Sequence, residues 1–252
     1  MAPILLSGLA IFFSFTIEAV TGFGCTVIAL PFVTALLGMQ EGIIEVTILA
    51  FLLALWLAVK NFKDIKFKIL LTIVLLMLPG LILGQYIQNV ADLSILKTLL
   101  AVFITAVSAL RLGAMIVKHF RNRKGDAEQK PEEAPKVRWY SYIALLAAGI
   151  VHGLFSSGGP LAIIYTSVAL PDKKSFRATL CALWTVLNTF LVFSYLFGGK
   201  ITPVMGKQML CLLPFMVAGI VVGELLHHKV NDKIFLALVY VVLLATGIVM
   251  FI

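Results

Sequence analysis

The chain has 252 residues, of which 61% are hydrophobic and only 13% charged, and its mean hydropathy is +1.07. A soluble domain is about 45–50% apolar and about 25% charged, and a water-exposed protein this greasy would aggregate, so a soluble fold is excluded and a lipid-embedded one expected. The net charge of +8 lies in short segments beside apolar runs, as topology signals do, and not on a basic, aromatic-rich face for nucleic acid.

Residues 1–20 are apolar without a basic leader or a small-residue cleavage site, and read as a retained helix and not a signal peptide. The apolar stretch 3–37 is interrupted at Thr21, Gly22, Phe23 and Gly24. It is too long for one straight helix, and its arms look short for two crossings of about 30 Å. A helical hairpin bent at membrane depth is expected. Segments 42–59, 69–88 and 93–117 follow, each long enough to span. Pro79 is tolerated there, because neighbouring helices re-satisfy the freed backbone groups.

The run HFRNRKGDAEQKPEEAPKVR at 119–138 is charged, carries two prolines and lacks apolar periodicity. Residues 118–138 therefore read as a mobile cytoplasmic linker between two transmembrane repeats, 1–117 and 139–252. The second repeat opens with 139–171, interrupted at Ser156, Ser157, Gly158, Gly159 and Pro160, and continues with spans 175–197, 204–226 and 234–252. Leu83-Gly84-Gln85-Tyr86 recurs as Val222-Gly223-Glu224-Leu225 at the corresponding place. The expected fold class is thus an all-α polytopic membrane protein of two inverted repeats, each a glycine-broken hairpin plus three spanning helices. That makes about eight helices by hydropathy, or ten with the hairpin arms counted singly.

Basic residues set the orientation. With Lys60, Lys63, Lys66 and Lys68 in the cytoplasm and 139–171 returning to the side it left, only Lys97, Lys200 and Lys207 fall outside. The two halves then run in opposite directions, the arrangement that supports alternating access about a midplane site.

A helix broken in hydrocarbon must line a cavity or be buried in protein. The break exposes backbone N–H groups at the positive end of a half-helix, which suits an anion. The expected substrate-binding residues are Thr21, Gly22, Phe23, Gly24, Cys25, Thr26, Ser156, Ser157, Gly158, Gly159 and the mid-helix Asn188. Glycine admits close approach and hydroxyls donate without adding charge. Glu18 and His152 are ionisable groups at depth and stand as proton-coupling candidates. Arg111, near the inner end of its span, is expected to snorkel to the interface. The three cysteines are far apart and apolar in context, the pattern of small core residues. No nucleotide-binding P-loop, metalloprotease or serine-hydrolase motif is present. No catalytic residue, metal or cofactor is expected.

The strings EAVTGFGCTVIALP at 18–31 and GLFSSGGPL at 153–161 resemble the paired glycine motifs of the TauE/SafE sulfite exporter family. The duplicated layout and charged central loop extend the resemblance over nearly the whole chain. It implies a multi-pass protein of a bacterial-type cytoplasmic membrane that exports a small anion, sulfite or an organosulfonate such as sulfoacetate, with H+ as an optional coupling ion. A homodimer is compatible with this reading. The residues also leave open a membrane assembly subunit that transports nothing and an intramembrane thiol enzyme using Cys25.

Overall fold

The computed structural model describes residues 2–123 and 137–226, together with 240, 241, 243, 244, 247 and 248. Its described regular structure is helical: α1 (Ala2–Thr21), α2 (Cys25–Leu37), α3 (Met39–Lys60), a 3-10 turn (Phe62–Asp64), α4 (Phe67–Val90), α5 (Leu93–Arg123), α6 (Trp139–Phe155), α7 (Gly159–Ala169), α8 (Lys173–Phe197) and α9 (Pro203–Leu226). Most of the expected span 234–252 lies outside the described residues, as do linker residues 124–136.

Six of these helices are long and apolar enough to cross a membrane. Their outward faces carry Leu71, Leu75, Ile82 and Val221 in the open. Water would penalise such faces and lipid does not. The chain is a polytopic α-helical membrane protein. Trp56 and Trp139 sit exposed near helix ends, where an interfacial aromatic belt would lie. Pro79 and Pro214 lie inside continuous helices, as membrane spans allow, and Pro31 does the same within the shorter α2.

Both expected breaks occur. The first separates α1 from α2 at residues 22–24, and the second separates α6 from α7 at 156–158. One expectation is corrected. The first arm is not short: α1 has 20 residues, about 30 Å at 1.5 Å per residue, because nothing interrupts the helix before Gly22. The other arms are short, with 13, 17 and 11 residues for α2, α6 and α7. A second correction concerns the linker. Residues 118–123 continue α5 as helix, so the charged run does not start the connection at 118. Arg and Lys are good helix formers, and their charge alone ends nothing.

Two helix pairs, α1 with α9 and α4 with α6, make the closest packing. Glycines decide it. A Cβ on Gly80 or Gly84 would strike the carbonyls of Leu146 and Ile150, and one on Gly149 or Gly153 would strike those of Met77 and Leu81. On α9, Gly219 and Gly223 lie against the carbonyls of Phe12 and Thr16. Small residues let backbones approach, the main route to helix association in lipid. The recurring Gly84 and Gly223 thus do the same work: each seats its helix on the broken helix of the other half. In both pairs the residue numbers rise together, so the partners run parallel. Helix α1 points toward the end holding Lys60, Arg177 and Glu224. Helix α6 points toward the end holding Gln88, Asn89 and Lys200. The two breaks are approached from opposite ends of the bundle.

Candidate functional site

The first break is built by Gly22 and Gly24, whose φ values of 85° and 102° lie in the left-handed region that a Cβ disfavours. Neither break is loosely held. Thr21 Oγ1 lies 2.9 Å from both Ile17 O and Phe23 O, and its hydroxyl secures the end of α1. Glu18 turns back across the break, and its Oε2 accepts the Cys25 N–H at 2.9 Å. That amide opens α2, where unsatisfied N–H groups and the helix dipole favour negative charge. The carboxyl of α1 therefore caps α2.

The second break places Ser156 at φ 53°, a left-handed conformation on a residue with a side chain, a cost of about 1–2 kcal/mol. Its side chain holds it there. Ser156 Oγ donates to Asn188 Oδ1 at 2.8 Å, and the same oxygen lies 3.0 Å from His152 Nε2. With Asn188 Oδ1 accepting, Nε2 carries the hydrogen. His152 Nδ1 is buried without a partner among the described residues.

The breaks meet. Thr26 Oγ1 donates to Ser156 O at 2.8 Å, and Phe23 packs beside Gly159. Between them is a cavity of about 10 Å³ lined by Glu18, Gly24, Cys25, Thr26, Ala50, His152, Ser156, Gly159 and Asn188, among others. That is space for about one water. Trp184 closes one wall. Its ring stacks on His152 at 5.3 Å and its Nε1 donates to Gly22 O at 3.2 Å.

Of the residues expected from sequence, the cavity brings together Gly24, Cys25, Thr26, Ser156, Gly159 and Asn188 with both ionisable candidates, Glu18 and His152. Thr21, Gly22, Phe23, Ser157 and Gly158 do not line it. They support it from behind, each for a local reason. Thr21 bonds its own helix, Gly22 turns the chain beside Arg177, and Phe23 packs on the second break. The Ser157 hydroxyl bonds Phe155 O, and Gly158 abuts the Ala148 carbonyl.

Arg111 also departs from expectation. Its Nη2 donates to Pro160 O at 3.1 Å, because the second break leaves a carbonyl in reach and a charge-assisted bond outweighs a longer path to the interface. Cys25 and Cys181 are buried as expected, but Cys211 is exposed.

Sequence reasoning missed Trp184, which had no neighbouring motif to mark it. It also missed Glu45. This acid is fully buried in α3, and neither carboxyl oxygen has a partner among the described residues. An acid inside an apolar run was the same signal that singled out Glu18.

Away from the cavity, Glu224 pairs with both Lys60 and Arg177 and ties the ends of α3, α8 and α9. At the opposite end, Gln88 Nε2 donates to Leu154 O at 2.6 Å. Beyond it lies a recess of about 330 Å³ lined by Gln40, Gln88, Asn89, Asp92 and Lys200 among others.

Residues 7–250 match the family model of the sulfite exporter TauE/SafE. The protein belongs to the sulfite exporter TauE/SafE family. This is a family of membrane transporters whose members carry small anions out across a lipid bilayer. Comparison with curated proteins and with solved structures found no match for the chain. The resemblance carried by 18–31 and 153–161 is thereby shown, and in this TauE/SafE chain both strings fold into the two breaks.

Proposed function

We propose that this TauE/SafE protein is a secondary exporter that moves sulfite or a small organosulfonate by alternating access, with the cavity between the two helix breaks as its substrate site. The observation that carries the proposal is the Thr26–Ser156 contact, in which breaks approached from opposite ends share one hydrogen bond beside a buried polar cavity. Hydroxyls, an amide side chain and a histidine converge there; their hydrogens are now given to Ser156 O and Asn188 Oδ1, and once the breaks part they can donate to an oxyanion without adding fixed charge.

A cavity of about 10 Å³ is smaller than any sulfur oxyanion. This conformation is the closed one, and loading requires the breaks to part. The Glu224 ion pairs bind the Lys60 end shut, whereas a recess reaches inward from the Lys200 end. The two halves, 1–117 and 139–252, act as inverted repeats that rock about the cavity, with Lys60 on the cytoplasmic side of a bacterial-type inner membrane.

The rival readings fare worse. Packing-only glycines would suit an assembly subunit, but a Cβ on Gly24 would meet nothing within 4 Å among the described residues; torsion, not contact, is what its glycine serves. A thiol enzyme using Cys25 needs a substrate path to a side chain that is fully buried. Purified protein in liposomes, loaded with sulfite or sulfoacetate, tests the proposal. Saturable counterflow is expected, and none across a panel of small anions refutes it.

A further inference from the structure

Resting on that reading, we infer that the Glu18 carboxylate is a tethered stand-in for the substrate: it occupies the anion seat at the amino terminus of α2, the passenger anion displaces it, and one proton is taken up as each anion binds.

The seat is already filled. The first amide of α2, which a bare half-helix would offer to an anion, donates to Glu18 Oε2 at 2.9 Å. Glu18 and Cys25 both line the cavity where the breaks meet. The cavity of about 10 Å³ has no room for a second anion beside the carboxylate, and at most one water to screen it. Two negative charges a few ångströms apart in a dry, low-dielectric site repel strongly. An incoming oxyanion must therefore take the Cys25 N–H from Glu18, and the released carboxylate gains a proton. One O–H bond forms on Glu18 and one breaks in the hydronium ion that delivers the proton from the aqueous side to which the cavity has opened. His152 lines the same cavity, and its buried Nδ1, a lone-pair acceptor in this tautomer, has no partner among the described residues; it is the second group there able to take a proton. When the passenger leaves, Glu18 returns to the amide, loses its proton and re-closes the seat.

Other ionisable groups surround Glu18. Cys25 faces it from α2 and Cys181 from α8, and Cys181 in turn feels Arg177 of α8 and Glu224 of α9. His152 reaches the cavity from α6, and α3 presents Ala50, with Glu45 and Lys60 to either side along that helix. The experiment must assign the proton to Glu18 among these.

Methanesulfonate is a suitable probe because it carries no titratable proton near neutrality. Its binding to full-length protein in detergent would be followed by calorimetry in two buffers of different ionisation enthalpy, which counts protons. Wild type should take up about one proton per anion, and its affinity should fall about tenfold per pH unit as pH rises. Glu18→Gln can still accept the Cys25 N–H, and it should bind with no proton uptake and a flat pH profile. Anion binding by wild type without proton uptake would overturn the inference and leave the transport reading standing. So would uptake that survives in Glu18→Gln and vanishes in His152→Gln. Failure to bind methanesulfonate, sulfite or sulfoacetate at all would overturn both. Should Glu18→Gln not fold, the His152→Gln count decides: uptake that persists without His152 supports Glu18, and uptake lost with it overturns the inference.

Discussion

Thr26 Oγ1 donates to the carbonyl oxygen of Ser156 across 2.8 Å, joining residues 130 apart in the chain. Each residue sits at a place where a helix stops inside an apolar bundle, so this bond registers the two breaks. Thr26→Val keeps the shape and removes the donor, leaving a buried carbonyl unpaired. Stability should fall by about 1–3 kcal/mol, read as a lower Tm in detergent. Anion flux in proteoliposomes should fall by more than the loss of folded protein explains.

Gly24 and Gly159 are glycines for different reasons. At Gly24 a Cβ meets open space but the φ of 102° resists it, whereas at Gly159 a Cβ would rest about 3.7 Å from Phe23 and Trp184, ordinary contact. Gly24→Ala should cost about 1–3 kcal/mol and impair transport; Gly159→Ala should do neither. Valine at either position should abolish transport with membrane insertion intact, because a branched side chain fills the cavity. Normal flux in both valine variants would remove the cavity from the mechanism.

The packing glycines predict a different failure. Gly84→Leu and Gly223→Leu each drive a side chain into a backbone carbonyl of the opposing half, and overpacking costs about 1–3 kcal/mol or more. Monodisperse protein on size exclusion should drop sharply for both. Gly113, which has nothing within 4 Å of a Cβ among the described residues, should accept Ala with about 0.5–1 kcal/mol of added helix stability.

Glu224→Gln leaves Lys60 and Arg177 facing each other without their shared anion. The group is partly solvated, so the stability cost should be small, on the order of 1 kcal/mol, and should shrink with added salt. The larger effect is conformational. A cysteine placed beside Gly22 should become more accessible to a charged thiol reagent from the Lys60 side in this variant than in the parent. Unchanged labelling would mean that the clasp does not hold that end shut.

Asp172 gives a pH prediction outside the membrane. It caps α8 through Oδ2, which accepts the Ser175 N–H at 2.9 Å, and this bond holds its carboxyl below the usual range. The native pKa is the lower one. The cap therefore contributes fully above the unfolded value of about 3.9 and is lost as pH falls through the folded value. Asp172→Asn, an equally good cap without the charge, should show a flatter melting profile between pH 3 and 5 than wild type.

Much of the fold was legible in one dimension because lipid is a strict solvent. It demands about 20 apolar residues per crossing and punishes broken backbone, so spans and breaks mark themselves in composition and glycine placement. Both breaks fell where the glycine and serine clusters stand, and the matching Gly84 and Gly223 marked the helices that bind the opposite half. The length of α1 was misjudged because a break says where a helix stops, not how it tilts. The fate of Arg111 was misjudged because the carbonyl that captures it belongs to residue 160, which no local pattern places nearby.

The sequence by itself determined the solvent, the spans and the two interruptions, since each follows from local composition against a hydrocarbon background. Only the tertiary structure decided which residues of those interruptions face a common cavity, that Trp184 and His152 stack across it, and that Glu18 already holds the amide expected to await a passenger. Those are relations between side chains on separate helices. Close packing at glycines sets them, and no spacing along the chain encodes the angle at which two helices meet.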